Sequence, residues 1–197
     1  MKIQQVCDEP AILDVYYDEL EQVDFEPIFL SDNEYRQNYG DLVVYDGRKT
    51  IPGTSNEFTL LHSKLTKPIL SITRELLSMD KKRYPVWQVE ELMQKCRIGL
   101  LVTVDYPGFS QPWHLDNRFI VMSGVINVVD NSTSTTFSRH NSHWNTKGKD
   151  LPDTEIIYRG NGKKLHGTAW LNTELTWHCV PEVSETRKIL LYNVFFY

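Results

Sequence analysis

An imidazole and a carboxylate stand two residues apart in the stretch Gln111-Pro112-Trp113-His114-Leu115-Asp116-Asn117. On a strand that spacing aims both side chains at one face, where together they can hold a metal ion. The tripeptide is weak by itself, since a chain with this His and Asp content meets one about 0.4 times by chance. A third donor strengthens it. Of the other histidines His178 is the best placed, 64 residues beyond His114 in the β-rich segment Thr176-Trp177-His178-Cys179-Val180. Two imidazoles and a carboxylate on one face of an octahedral ion leave three positions open, which suits non-haem Fe(II) with O2 and a chelating co-substrate. Arg187 follows His178 by nine residues at the head of the last strand. It can pair, bidentate, with the far carboxylate of a metal-bound ligand. Lys188 then points to the opposite face, and of the two Arg187 is expected inside.

Each of these residues has a plainer reading taken alone. His114 and Asp116 can be a hydrogen-bonded pair at a loop edge, His178 a core histidine on a backbone carbonyl, and Arg187 a surface strand charge. It is their ordered combination that favours a site. Trp113 and Trp177 each precede a histidine, so strand alternation turns them away from the metal and into packing, and Cys179 turns away likewise. His140 and His143 have an HxxH spacing, but they sit in a polar segment without a third ligand, where a solvated loop is the simpler account. The basic, aromatic run from Arg139 to Lys149 fits equally a cover over a barrel mouth and an exposed insertion.

The elements that must position these groups change character along the chain. Residues 1–60 mix short apolar runs (Pro27 to Leu30, Leu42 to Tyr45) with the turn signals Asp46-Gly47 and Pro52-Gly53, predicting short strands and loops. Ile69, Ile72, Leu76 and Met79 mark one face of a helix over 68–79 with Pro68 in its first turn. Val89, Leu92, Met93 and Cys96 mark a second helix that ends near Arg97. Strands are then predicted over 97–106, 118–129, 154–159, 165–172, 176–180 and 187–197, with 131–153 mostly loop. Helices followed by a dense series of strands predict an α+β, mainly β fold.

Composition sets the outer bounds. The 197 residues, 41% hydrophobic and 24% charged, suit one domain with a substantial core. Ten Tyr, eight Phe and five Trp suit many strands or an aromatic-lined interior. A net charge of −5 argues against general nucleic-acid binding. The three cysteines (Cys7, Cys96, Cys179) are odd in number and far apart, which reads as reduced thiols in a cytoplasmic chain. Acids and a proline interrupt the first residues, so no signal peptide is expected, and no apolar run is long enough to cross a membrane.

The ordered set from Pro107 to Asp116, a long apolar strand, and the segment from Gly167 to Phe196 resembles the 2-oxoglutarate- and Fe(II)-dependent dioxygenases. It looks closest to their prolyl-4-hydroxylase-like branch. The matching positions are Tyr106-Pro107-Gly108, His114-Leu115-Asp116, His178 with Val180 and Val183, and Arg187 beside Lys188, so the resemblance covers roughly residues 97–197. It implies one oxygenase domain over 1–197, with N-terminal strands and supporting helices in 1–96 and a catalytic core in 97–197. That core would be a double-stranded β-helix (a jelly roll, cupin-like) with the helices packed on its major sheet. The resemblance also implies Fe(II) held by His114, Asp116 and His178, and 2-oxoglutarate held through its distal carboxylate by Arg187. The reaction it implies uses O2, with ascorbate as a supportive reductant, releases succinate and CO2, and hydroxylates a C–H bond of a peptide, protein or small molecule. Several relatives carry a hydroxyl two residues after the arginine, where this chain has Ile189. Tyr106 is then the candidate hydroxyl donor to the co-substrate, and Asn127 a second polar candidate. Two rivals stay open: a cupin-like metal enzyme that does not use 2-oxoglutarate, and a non-catalytic β-sandwich interaction module.

Overall fold

Alternation along one strand shows how the molecule is layered. In the segment Cys96–Asp105, Leu100, Val102 and Val104 join a core shared with helix residues, so Thr103 and Asp105 face the other way. In this computed structural model residues 1–7, 10–30, 34, 43–45, 47–51, 55–139 and 155–197 are described. The strands among them are β1 (Lys2–Cys7), β2 (Ile12–Tyr16), β3 (Val43–Tyr45), β4 (Arg48–Ile51), β5 (Cys96–Asp105) and β6 (Gln111–His114). The series continues with β7 (Met122–Asn127), β8 (Thr136–Arg139), β9 (Glu155–Arg159), β10 (His166–Leu171), β11 (Trp177–Val180) and β12 (Arg187–Phe196). Two α-helices, α1 (Asn56–Met79) and α2 (Val86–Gln94), lie between β4 and β5.

The strands form two antiparallel sheets among the described residues: a major one in the order β1-β2-β10-β7-β12-β5-β4-β3 and a minor one in the order β6-β11-β8-β9. This is the expected jelly roll. The major sheet buries one face under α1 and the other inside the roll. On the helix side, Leu65, Ile69, Ile72 and Leu76 of α1 meet Leu13, Val102, Ile126, Leu190 and Val194 of the strands. Each such aliphatic side chain contributes about 1.5–3 kcal/mol by leaving water. Inside the roll, Ile12, Val125, Phe137, Trp170 and Ile189 make a second, smaller core.

Several boundaries differ from the sequence reading, each for a physical reason. The first helix begins 12 residues before Pro68: Ser55 caps it by accepting from Phe58 N–H at 3.1 Å. Pro68 is thus an interior, buried helix residue rather than a first-turn one. Apolar spacing that continues through it to Leu61 and Leu65 outweighs the lost backbone donor. The run Glu26–Ile28 is a single 3-10 turn with a proline near its start, not a strand. The long strand expected over 118–129 is shortened to β7, because residues 117–121 turn first. Conversely, β8 lies inside the stretch expected to be loop. Its threonine, phenylalanine and serine are buried between β11 and β9. His140, His143 and the rest of the basic run after Arg139 lie outside the described residues.

Candidate metal and anion site

The turn Tyr106-Pro107-Gly108-Phe109 leads into β6 and His114. Phe109 N–H donates to the Tyr106 carbonyl at 3.0 Å, and Gly108 sits at φ +87°, the third position of a turn that only glycine fills without strain. Phe109 then packs on Val180 and Val183, which seats β6 beside β11. His114 lies directly opposite His178 in that pairing, and their ring centroids are 4.2 Å apart. β6 ends at His114, so strand alternation does not carry Asp116. It is held after the strand by Ser123 Oγ, which donates to its Oδ2 at 2.6 Å, and by Trp170 Nε1, which donates to the same oxygen at 3.2 Å. The Trp170 ring also lies 4.8 Å from that of His178, tilted by 56°, and meets Phe137 edge-on at 5.1 Å.

One ligand atom each from His114, Asp116 and His178 lie within 4.8 Å of one another. The remaining atoms of the three side chains are already committed. His114 Nδ1 is 2.8 Å from the Pro112 carbonyl and His178 Nδ1 is 2.9 Å from the Thr176 carbonyl. A carbonyl only accepts, so both Nδ1 atoms carry the proton and both Nε2 atoms face the site. Asp116 Oδ2 is occupied by two donors, which leaves Oδ1, 3.6 Å from His178 Nε2. This donor set, with its supporting hydrogen bonds, suits a divalent first-row cation. The electrostatics agree. Burial and the neighbouring His178 push His114 down to about 4, so its imidazole is neutral near pH 7. Burial raises the Asp116 carboxyl, but its polar surroundings, the Ser123 hydroxyl and the two imidazoles among them, outweigh that and hold it at about 2.

The same cavity, about 100 Å³, reaches Arg187 at its other end. Arg187 is 2% exposed, which excludes the surface-charge reading. It lies opposite Asp105 in the β12–β5 register, and Arg48 lies opposite Asp105 in the β4–β5 register. The three side chains form one rung across three adjacent strands. Arg48 donates from Nε to Asp105 Oδ1 (2.6 Å) and from NH2 to Oδ2 (3.0 Å), while Arg187 NH1 donates to Oδ2 (3.0 Å). Arg187 NH2 reaches Thr135 Oγ1 at 3.3 Å, and its buried Nε has no partner among the described residues. Two guanidiniums on one carboxylate leave one net positive charge in the rung, which an anionic ligand can neutralise. Burial lowers Arg187 to about 10, still protonated at neutral pH.

Of the two further polar candidates, Tyr106 lies away from the cavity. Asp105 faces inward, so the next residue turns outward, and Tyr106 packs against the helix-side core. Asn127 shares the inner face, but its Nδ2 donates to the Asn161 and His166 carbonyls at 2.7 and 3.0 Å and its Oδ1 accepts from Asn131. Neither is among the cavity's lining residues. Sequence reasoning missed Arg48, Asp105, Gln111, Ser123, Thr135 and Trp170, all set by strand register or by loop packing. Only the inward parity of Asp105 on β5 was open to inspection beforehand.

No family model matches the chain, and no curated protein matches it. Solved structures do match its fold. The non-haem alpha-ketoglutarate-dependent epimerase SnoN from nogalamycin biosynthesis aligns with a TM-score of 0.64 at 10% identity, over 94% of this chain and 78% of that one. EvdO2 from Micromonospora carbonacea var. aurantiaca aligns with a TM-score of 0.56 at 13% identity, over 100% and 92% of the two chains. A prolyl-4-hydroxylase from Pseudomonas putida aligns with a TM-score of 0.52 at 12% identity, over 93% and 92%. The chain therefore has the fold of 2-oxoglutarate oxygenases. Among its described residues no helix is long and apolar enough to cross a membrane.

Proposed function

We propose that this protein is an Fe(II)- and 2-oxoglutarate-dependent dioxygenase that hydroxylates a C–H bond of a peptide, protein or small molecule, with release of succinate and CO2. One observation carries the reading: a single cavity has a convergent His-Asp-His set at one end and a buried, charge-unbalanced arginine at the other. A divalent cation with Asp116 leaves one positive charge, and the Arg48–Asp105–Arg187 rung leaves another. A dicarboxylate matches both. The cupin-like alternative without 2-oxoglutarate leaves the second charge unexplained.

In this reading His114 and His178 present Nε2, and Asp116 presents Oδ1, to the iron. When bound, iron supplies the activation of O2 and the oxidative decarboxylation of the co-substrate. The protein's own part is to bind, orient and exclude water. Arg187 offers its free Nε–H to the distal carboxylate. Thr135, which accepts from Arg187 at 3.3 Å, keeps its own hydroxyl proton for the same carboxylate, the role that Ile189 cannot fill and that Tyr106 is turned away from. Trp170 lines the site beside His178, and Phe137 packs against both rings. The test is turnover of 2-oxoglutarate to succinate by purified protein with Fe(II), ascorbate and O2, first without substrate and then over a panel of peptides, amino acids and nucleosides. Succinate formed at the no-enzyme rate, or unchanged in Asp116→Ala, would refute the proposal.

A further inference from the structure

Gln111 does something the metal reading does not require. It stands three residues before His114, and on a regular strand residues three apart face opposite sides. The β6–β11 pairing, however, sets His114 against His178 and Gln111 against Val180, so three steps on β6 oppose two on β11. This irregularity re-aims the side chain, and both residues line the cavity. Gln111 Nε2 then lies 2.9 Å from His114 Nε2, while Arg48 NH1 donates to Gln111 Oε1 at 3.2 Å.

The direction of these bonds is fixed by chemistry. A guanidinium only donates, so the amide oxygen must face Arg48 and the amide N–H must face His114. The Pro112 carbonyl takes the Nδ1 proton of His114, so its Nε2 is a bare acceptor. That nitrogen has one lone pair in the ring plane, and the same lone pair is what a cation needs. Gln111 and the cation compete for it.

We propose that Gln111 is a displaceable cap on the ligand nitrogen of His114, anchored by Arg48, which holds the imidazole in its binding tautomer and must let go before a divalent cation can bind. The proposal rests on the metal-site reading above. Because only the uncapped fraction of the protein is competent, the cap weakens cation binding by the population it withholds. One net hydrogen bond corresponds to a factor of about three to ten. The factor is the same for every cation, since the bond is broken before any of them is bound.

The experiment is anaerobic calorimetric titration of the full chain, free of 2-oxoglutarate, with Co(II) and separately with Mn(II). It compares wild type with Gln111→Leu, which keeps the side-chain bulk without the donor, and with Gln111→Ala. The expected result is about three- to tenfold tighter binding in both variants, by a similar factor for the two ions. The sign is decisive, because a residue that merely propped His114 in place would weaken binding when removed. Equal or weaker binding in the variants, with the wild type still binding, overturns the cap and leaves the metal centre standing. Binding by neither wild type nor variants overturns the metal centre and the cap together.

Discussion

The two ends of the cavity are built differently. At the His-Asp-His end each side chain is fixed by a neutral partner: the carbonyls of Pro112 and Thr176, the hydroxyl of Ser123 and the indole of Trp170. At the anion end the groups are fixed by one another's charge, two guanidiniums sharing a carboxylate that is 0% exposed. Neutral supports keep their geometry whether or not a ligand is present. A charged rung depends on its balance, so losing one member harms the fold as well as the site. The His-Asp-His end should therefore separate function from stability, and the anion end should not.

Four variants, from the largest effect to the smallest, and then a pH series with a variant of its own bear on that contrast. Asp116→Ala should abolish detectable Co(II) uptake and 2-oxoglutarate turnover while urea unfolding of the metal-free protein changes little. A large stability loss there would erase the distinction between the ends. Asp105→Asn should cost about 3–5 kcal/mol in the same unfolding measurement, because it strands the buried Arg187 and the partly buried Arg48. Arg187→Met should raise the KM for 2-oxoglutarate by about 10–100-fold, the loss of charge-assisted bonds, without altering cation affinity. Ser123→Ala should weaken Co(II) binding by about tenfold, as expected when the support of a ligand is removed. The last test is one of pH. His114 sits at about 4 in the folded protein against an ordinary 6.5, so in that window the unfolded chain binds the extra proton. Stability of the metal-free protein should therefore fall as pH drops from 6.5 towards 4, and His114→Gln should flatten that slope.

What the sequence disclosed follows from how local each interaction is. His114 and Asp116 were legible because they share one short segment, and His178 and Arg187 because strand patterning surrounds them. The helices and the mainly β character were legible from apolar periodicity, while the jelly roll was an implication of the resemblance. Arg48 was not, since it is 57 residues from Asp105 and meets it only once β4, β5 and β12 are neighbours. Gln111 was hidden by an irregular strand pairing, which reverses the parity that alternation assigns. Thr135 was hidden because it directly precedes a four-residue strand of polar composition, buried by its neighbours rather than by its own hydrophobicity. Tyr106 shows the converse: a residue close in sequence to the cavity is turned outward by the very alternation that turns Asp105 inward.

The charged rung has one more consequence, and it concerns assembly of the sheet. Arg48, Asp105 and Arg187 are laterally aligned on adjacent strands, and β4 belongs to a short hairpin near the sheet's edge, where pairing is least constrained. A slip of β4 by one residue would turn Arg48 to the helix side and swing Lys49, now buried with its ammonium 3.3 Å from the Leu30 carbonyl, towards the cavity. The slipped hairpin would break the double contact with Asp105 and bring a different cation to the Arg187 end of the cavity. The rung thus acts as an alignment key: the hairpin that closes in the correct register is the one that also completes the anion seat.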